Sequence, residues 1–264
     1  MHTLGSFDGN YPAADMCSAS VKNGLSTIAI TDHFDVDFFE RHNLDVRQKN
    51  SYEDICSAKA EFEGQIRLLR GIEMGQPAYE LEITEKALAR YEYDFVIGSI
   101  HNLRGMPDFS DLDYPNYSSE KIYSLLEEYF NEEFILAKWN GFDTLAHLTY
   151  PLRYLAQHGI KDIDLTRFDD ITDEIFKVLI ANGKALEINT SGLRQPIGKT
   201  MPTDNYVRRF RELGGELLTI GSDAHFTEHA GAGIDAGYEI AENCGFRYVT
   251  YFENRKPVQV KIEK

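Results

Sequence analysis

Short apolar, β-branched runs alternate with longer amphipathic stretches along almost all of this 264-residue chain, and that alternation constrains the fold more than any other feature. The runs are STIAIT (26–31), IRLLRGI (66–72), DFVIGSI (94–100), DTLAHL (143–148), KALEINT (184–190), ELLTIGS (216–222) and RYVTYF (247–252). Their near-continuous hydrophobicity suits strands buried on both faces, as in a parallel sheet. Between them, helices are predicted over 12–23, with Gly24 as the residue that ends the first, and over 78–90, 169–182, 203–213 and 231–243. SYED at 51–54 has the spacing of a capping box. In SSEKIYSLLEEYFNEEFILAKW, Ile122, Leu125, Leu126, Tyr129 and Phe130 recur at helical spacing. A βαβα order predicts a parallel α/β fold. No linker rich in Pro, Gly or Ser interrupts it, so one domain over 1–264 is expected. Seven visible strands are one short of a (β/α)8 barrel.

Composition narrows the class of function. With 27 basic against 43 acidic residues, the formal charge is −16, and no Lys/Arg cluster compensates for it. A nucleic-acid backbone would be repelled, so no nucleic-acid partner is expected. No long uncharged run and no basic-then-apolar opening is present, so neither a membrane span nor a secretory signal is expected. Cys17, Cys56 and Cys244 are widely spaced and form no CxxC; they read as reduced thiols of a cytoplasmic protein.

The chemistry lies where the strands end. His33 follows AIT, Glu73 ends LLRGIE, His101 ends VIGSIH, His147 lies in TLAH, and Asp223 and His225 end TIGSDAH. In an α/β barrel the C-terminal ends of the strands converge on one face, where active sites are built. Four of the eight histidines fall at such ends, and the group is harder to dismiss than any single member. A ring of imidazoles with Asp and Glu, and no cysteine, suits Zn²⁺, Mn²⁺ or Fe, with carboxylates able to bridge two ions. If His2 and Asp8 of the opening MHTLGSFDG join this ring, they form the loop after a first strand that the sequence does not show.

The stretches HTLGSFDG, ITDHFD, GIEMG, GSIHNL, AHLTYPLRY, INTSGLR and GSDAH, in this order, are similar to the PHP (polymerase and histidinol phosphatase) family of metallophosphoesterases, in particular its histidinol-phosphate phosphatase branch. The resemblance covers nearly the whole chain and implies a single PHP-type domain, a distorted (β/α)7 TIM-like barrel with two or three divalent metal ions. It implies His2, Asp8, His33, Glu73, His101, His147, Asp223 and His225 as metal ligands, with Glu73 bridging. AHLTYPLRY and INTSGLR imply Arg153 and Arg194 as phosphate contacts; surface salt bridges are the alternative. The family's first motif is His-x-His at the end of strand one, and His2, preceded by Met1, matches only its second histidine. Two explanations stand: a start at an internal methionine of a longer protein, or a natively short member with one metal site weakly filled and low activity. The first is preferred, because loss of a central strand leaves neighbouring backbone groups unpaired.

The implied activity is hydrolysis of a small phosphorylated substrate, L-histidinol phosphate, in histidine biosynthesis. Clustered metals would supply hydroxide, charge neutralisation and orientation. Asp223 and His225 are weak candidates for the proton donor to the leaving group, alongside a metal-bound water or the substrate's own ammonium. Asp108, Asp111 and Asp113 of LRGMPDFSDLDYPNY (103–117) could meet a cationic amine, and Tyr114 or Tyr117 could stack on a ring; a solvated loop is the plainer reading. The competing functions are another phosphoesterase of this fold, a catalytically weakened metal-binding scaffold, and an amidohydrolase-like enzyme. The last typically uses a carboxylated lysine, and no lysine stands at a strand end. Oligomeric state is not readable.

Overall fold

A computed structural model describes residues 1–263. Seven strands build one parallel sheet: β1 (Thr27–Ile30), β2 (His33–Asp35), β3 (Arg67–Gly75), β4 (Phe95–Ser99), β5 (Thr144–Leu145), β6 (Ala185–Asn189) and β7 (Leu218–Gly221). The order is β1-β3-β4-β5-β6-β7, and β2 pairs with the C-terminal half of β3. Helices α1 (Ala13–Lys22), α2 (Leu44–Glu61), α3 (Leu81–Arg90), α4 (Ser119–Trp139), α5 (Pro151–Gln157), α6 (Asp169–Ala181), α7 (Asp204–Glu212) and α8 (Ile234–Asn243) alternate with the strands. Leu125, Phe130, Phe176 and Phe210 of the helices pack with Val96, Leu186 and Leu218 of the strands in one continuous core. The result is a curled, half-barrel α/β sheet.

Two readings of the sequence are corrected here. RYVTYF is no part of the main sheet: β8 (Tyr248–Glu253) pairs antiparallel with β9 (Lys256–Lys261), a strand that no apolar run marks in the sequence. Asn254 and Arg255 both take left-handed φ, +50° and +62°, which is what a two-residue hairpin turn with matching twist requires. SYED is not a cap, because α2 starts at Leu44, and Ser51 instead turns its hydroxyl inward onto Asp32 at 2.5 Å. Helix α5 starts within AHLTYPLRY, at Pro151, and runs on to Gln157, where no helix is expected from the sequence. Ser118 does cap α4, accepting from Lys121 N–H.

The sheet does not close by pairing β1 with β7. At its C-terminal end, Met1–Thr3 occupy that seam. Thr31 N–H donates to Met1 O at 2.8 Å, and His2 N–H donates to Ala224 O at 2.9 Å. A cavity of about 430 Å³ runs along the seam between Ile28, Leu69, Ile97, Thr219 and Phe252. His2 is therefore fixed at the place where the loop after a strand between β7 and β1 would stand.

Candidate metal centre

Parallel strands deliver their C-terminal ends to one face, and the eight acids and imidazoles singled out in the sequence meet there. His33 opens β2 in register with Glu73 of β3, and His101 and His147 follow β4 and β5. Asp223 and His225 follow β7, and Asp8 lies in the loop after His2. Asp223 takes φ +50°, an uncommon backbone for a non-glycine residue that asparagine and aspartate tolerate best.

Glu73 is the hub. Its Oε1 is 3.0 Å from His101 Nε2 and 3.2 Å from His147 Nε2, which are 3.3 Å from each other. Its Oε2 is 3.5 Å from His2 Nε2, itself 3.3 Å from Asp223 Oδ1. Further out, Asp8 Oδ2 is 3.0 Å from His225 Nε2 and 3.8 Å from His33 Nε2. The His2 ring stacks on those of both His33 and His225, with centroids 4.3 and 4.2 Å away, and those two rings are 5.9 Å from each other.

These distances test whether a cation fits. A tetrahedral zinc ion with bonds of 2.0–2.1 Å separates neighbouring donor atoms by about 3.3 Å. The triangle of Glu73, His101 and His147 has that size, and it brings two imidazole nitrogens face to face around one carboxylate oxygen. Three groups of donors each converge within 4.8 Å: His2 with His33 and His225, His33 with Asp35 and His101, and Glu73 with His101 and His147. The donor set suits divalent ions.

The electrostatics agree. Burial alone would raise the Glu73 carboxyl, yet the charge of His33 and hydrogen bonds from His101 and His147 hold it well below its ordinary range. Asp223 is likewise depressed: burial raises it, and His2, His225 and Arg153 more than offset that. Both acids are therefore anions able to hold a cation.

Three supporting acids were not picked out in the sequence. Asp35 Oδ1 lies 2.6 Å from His101 Nδ1, which fixes the ring so that Nε2 faces Glu73, the carboxylate–imidazole support usual behind metal ligands. Asp32 ties the opening loop down: Thr3 N–H, Thr3 Oγ1, Ser6 Oγ and Ser51 Oγ all donate to it. Ser6 Oγ is in turn 3.1 Å from His2 Nδ1. Glu187 of β6 sits below the hub and accepts His147 N–H at 2.8 Å; burial, with Asp223 and Glu73 nearby, pushes its carboxyl up to about 8. Glycine makes room for two of these acids. A Cβ at Gly221 would lie 2.0 Å from Glu187 Oε1, and one at Gly75 would lie 1.8 Å from Asp35 Oδ1. The visible signal was a charge set inside an apolar run, as in KALEINT and ITDHFD.

Two arginines border the cluster. Arg153 Nη1 donates to Asp223 Oδ2 at 3.4 Å. Arg194 Nη2 donates to the carbonyls of Ser222 and Asp223 at 2.7 and 2.8 Å. Arg153 Nε and Arg194 Nη1 are buried and have no partner among the described residues. A second cavity, of about 290 Å³, is lined by Asp8, His33, His101, Asp108, Asp111 and Tyr154. Of the loop acids, Asp108 and Asp111 reach it; Asp113 binds Asn116 at the surface. Tyr114 is buried, and Tyr117 packs against the core, so neither lines that cavity.

No helix among the described residues is long and apolar enough to cross a membrane. The probable histidinol-phosphatase of Clostridium acetobutylicum is 28% identical over 258 residues, covering 97% of this chain and 96% of that one. The histidinol-phosphatase of Lactococcus lactis is 27% identical over 244 residues, covering 90% and 87%. A crystal structure of the Lactococcus lactis histidinol phosphate phosphatase, complexed with zinc, L-histidinol and phosphate, superposes with a TM-score of 0.78 at 23% identity, over 98% of this chain and 97% of that one. The PHP domain profile matches residues 1–191. With the fold, the donor cluster and this match in agreement, the chain belongs to the PHP domain family.

Proposed function

We propose that the chain is a metal-dependent phosphomonoesterase that hydrolyses L-histidinol phosphate to L-histidinol and inorganic phosphate, working as one domain over its length. The observation that carries this reading is the conjunction at one mouth of a cation-sized donor triangle on Glu73 and two buried arginine nitrogens without partners. Homology over nearly full length to histidinol-phosphatases supports the substrate.

His2, Asp8, His33, Glu73, His101, His147, Asp223 and His225 would hold two or three divalent ions, with Glu73 the carboxylate shared between them. Bound ions supply hydroxide at neutral pH and neutralise charge on the phosphoryl group. Arg153 Nε and Arg194 Nη1 donate charge-assisted hydrogen bonds to the remaining phosphoryl oxygens. The contacts of Arg194 with two carbonyls and of Arg153 with Asp223 keep both guanidiniums in place before substrate arrives, so little reorganisation is needed during reaction. Asp35 and Asp32 keep the His101 and His2 rings oriented. Asp108 and Asp111 line the cavity wall that faces a cationic amine on the substrate.

The test is phosphate release from a panel of phosphomonoesters, with Mn²⁺ or Zn²⁺ added and with chelator. Release from histidinol phosphate in preference to sugar phosphates and nucleotides, lost on chelation, is expected. No turnover of any ester would favour a binding scaffold instead, and equal turnover of all would remove the substrate assignment.

A further inference from the structure

Tyr154, the last residue of AHLTYPLRY, has a place in the site that the metal cluster does not account for. It follows Arg153 on α5, and its side chain lines the same cavity as His33, Asp35 and His101. Its hydroxyl is 2.7 Å from that of Tyr150, one turn earlier. The Tyr150 ring lines the same cavity and is the more buried of the two; its centroid is 5.0 Å from that of His101 and 4.8 Å from that of His147, and its hydroxyl is 3.4 Å from Asp108 Oδ1. The Arg153 guanidinium carbon lies 5.2 Å from the centroids of both tyrosines. A hydroxyl pair and a cation thus share one wall, beside the arginine assigned to the phosphoryl group.

Resting on the reading of the chain as a phosphomonoesterase, the geometry points to Tyr154 as the catalytic general acid that protonates the departing alkoxide. An alkyl ester cannot shed a bare alkoxide readily, and a proton delivered in the transition state is worth about 10²–10⁴-fold. The imidazoles and carboxylates of the cluster are committed to cations, and arginine keeps its proton throughout. Tyr154 lines the cavity, carries a proton at neutral pH and is free of the donor groups.

The step balances. A hydroxide oxygen forms a new bond to phosphorus as the P–O bond to the leaving group breaks, and the electron pair of the broken bond stays on the leaving oxygen. The Tyr154 O–H bond breaks, and its proton forms the O–H of the product alcohol. The phenolate left behind accepts from the Tyr150 hydroxyl and lies beside Arg153; water in the cavity returns the proton. Overall, ester and water give alcohol and phosphate. Burial raises the Tyr154 hydroxyl above the ordinary phenol range, so it rests protonated, while Arg153 and the Tyr150 hydrogen bond pull the other way.

The test is the leaving-group dependence of Tyr154→Phe. Relative to wild type, kcat on L-histidinol phosphate and on simple alkyl phosphates should fall about 10²-fold or more. On p-nitrophenyl phosphate, whose leaving phenolate departs without a proton, the fall should be at least about thirtyfold smaller. Binding of inorganic phosphate, followed by calorimetry, should keep its affinity and show that Arg153 has not moved. Equal losses on alkyl and aryl esters, or phosphate binding weakened in step with kcat, would overturn the assignment and leave Tyr154 as packing for Arg153. If wild type cleaves alkyl esters without preferring histidinol phosphate, the substrate reading falls alone, and the alkyl-to-aryl comparison still decides on Tyr154. No release from any ester would overturn both.

Discussion

Both ends of the parallel sheet bury carboxylates, and they partner them in opposite ways. At the N-terminal end, Asp94 accepts N–H from Arg70 at 2.9 Å and Asn254 at 3.2 Å, with Lys59 Nζ at 3.5 Å. Asp143 accepts Val96 N–H at 2.8 Å and Arg255 Nε at 2.5 Å. Asn254 and Arg255 are the turn of the β8–β9 hairpin, so these two acids bind that hairpin to the bottom of the sheet. Their lone pairs go to permanent donors. At the mouth, Glu73 faces the imidazoles of His101 and His147, and Asp223 faces that of His2 besides the Arg153 guanidinium; an imidazole can give up a proton and bind a metal in its place. A buried acid against amide and guanidinium groups is a fastening; against imidazole it keeps coordinating capacity. Stability is concentrated at one end of the sheet and chemistry at the other, as the barrel plan favours.

The sharpest way to break this contrast is to neutralise one acid at each end. Glu73→Gln should lower kcat at least about 10³-fold, with loss of bound metal measured by elemental analysis. Asp143→Asn should leave kcat within about threefold while lowering unfolding free energy by about 1.5–3 kcal/mol, the range for hydrogen bonds to charged groups. Turnover assays and denaturant titrations of both proteins check this, and loss of turnover in Asp143→Asn would remove the division. Next in size, Arg194→Ala should cost about 10²-fold in kcat/KM, the scale of removing one fixed donor from a transition state. Calorimetry should show weaker phosphate binding.

A smaller effect concerns the metal itself. Chelation should lower the melting temperature of wild type by several degrees, by mass action on the folded state, and that of Glu73→Gln by much less. A calorimetric scan with and without chelator compares them; equal shifts would place the ions elsewhere. The smallest effect lies at the bottom end. Burial raises Asp94, but the N–H groups of Arg70 and Asn254 and the charges of Lys59 and Arg70 hold it below its ordinary range. Its folded value is therefore lower than the unfolded value of about 3.9. It contributes stability that is present above about pH 4 and is lost as pH falls through the folded value. Asp94→Asn should flatten the acid limb of the stability curve there; an unchanged slope would show that Asp94 adds nothing to it.

Much of the mouth was legible because metal-binding residue types are conspicuous at the ends of apolar runs. His33, Glu73, His101, His147, Asp223 and His225 could be placed from that alone, and the parallel arrangement that gathers them follows from the alternation. Asp32, Asp35 and Glu187 were overlooked since a single acid in ITDHFD or KALEINT does not reveal which ring or backbone group it supports. RYVTYF misled because an apolar run carries no record of its partner: the turn at Asn254–Arg255 and the alternating KPVQVK strand after it decide for a hairpin. SYED misled because Ser-x-x-acid spacing also occurs inside helices, and here Ser51 answers to Asp32. The aromatic residues of 103–117 went to the core, where burial outweighs any use at the surface.

Access to water differs across the donor cluster. The Asp8 side chain is 42% exposed, whereas that of Glu73 is 5% exposed. Solvent and small solutes therefore reach Asp8 directly, while they meet Glu73 only through the imidazoles around it.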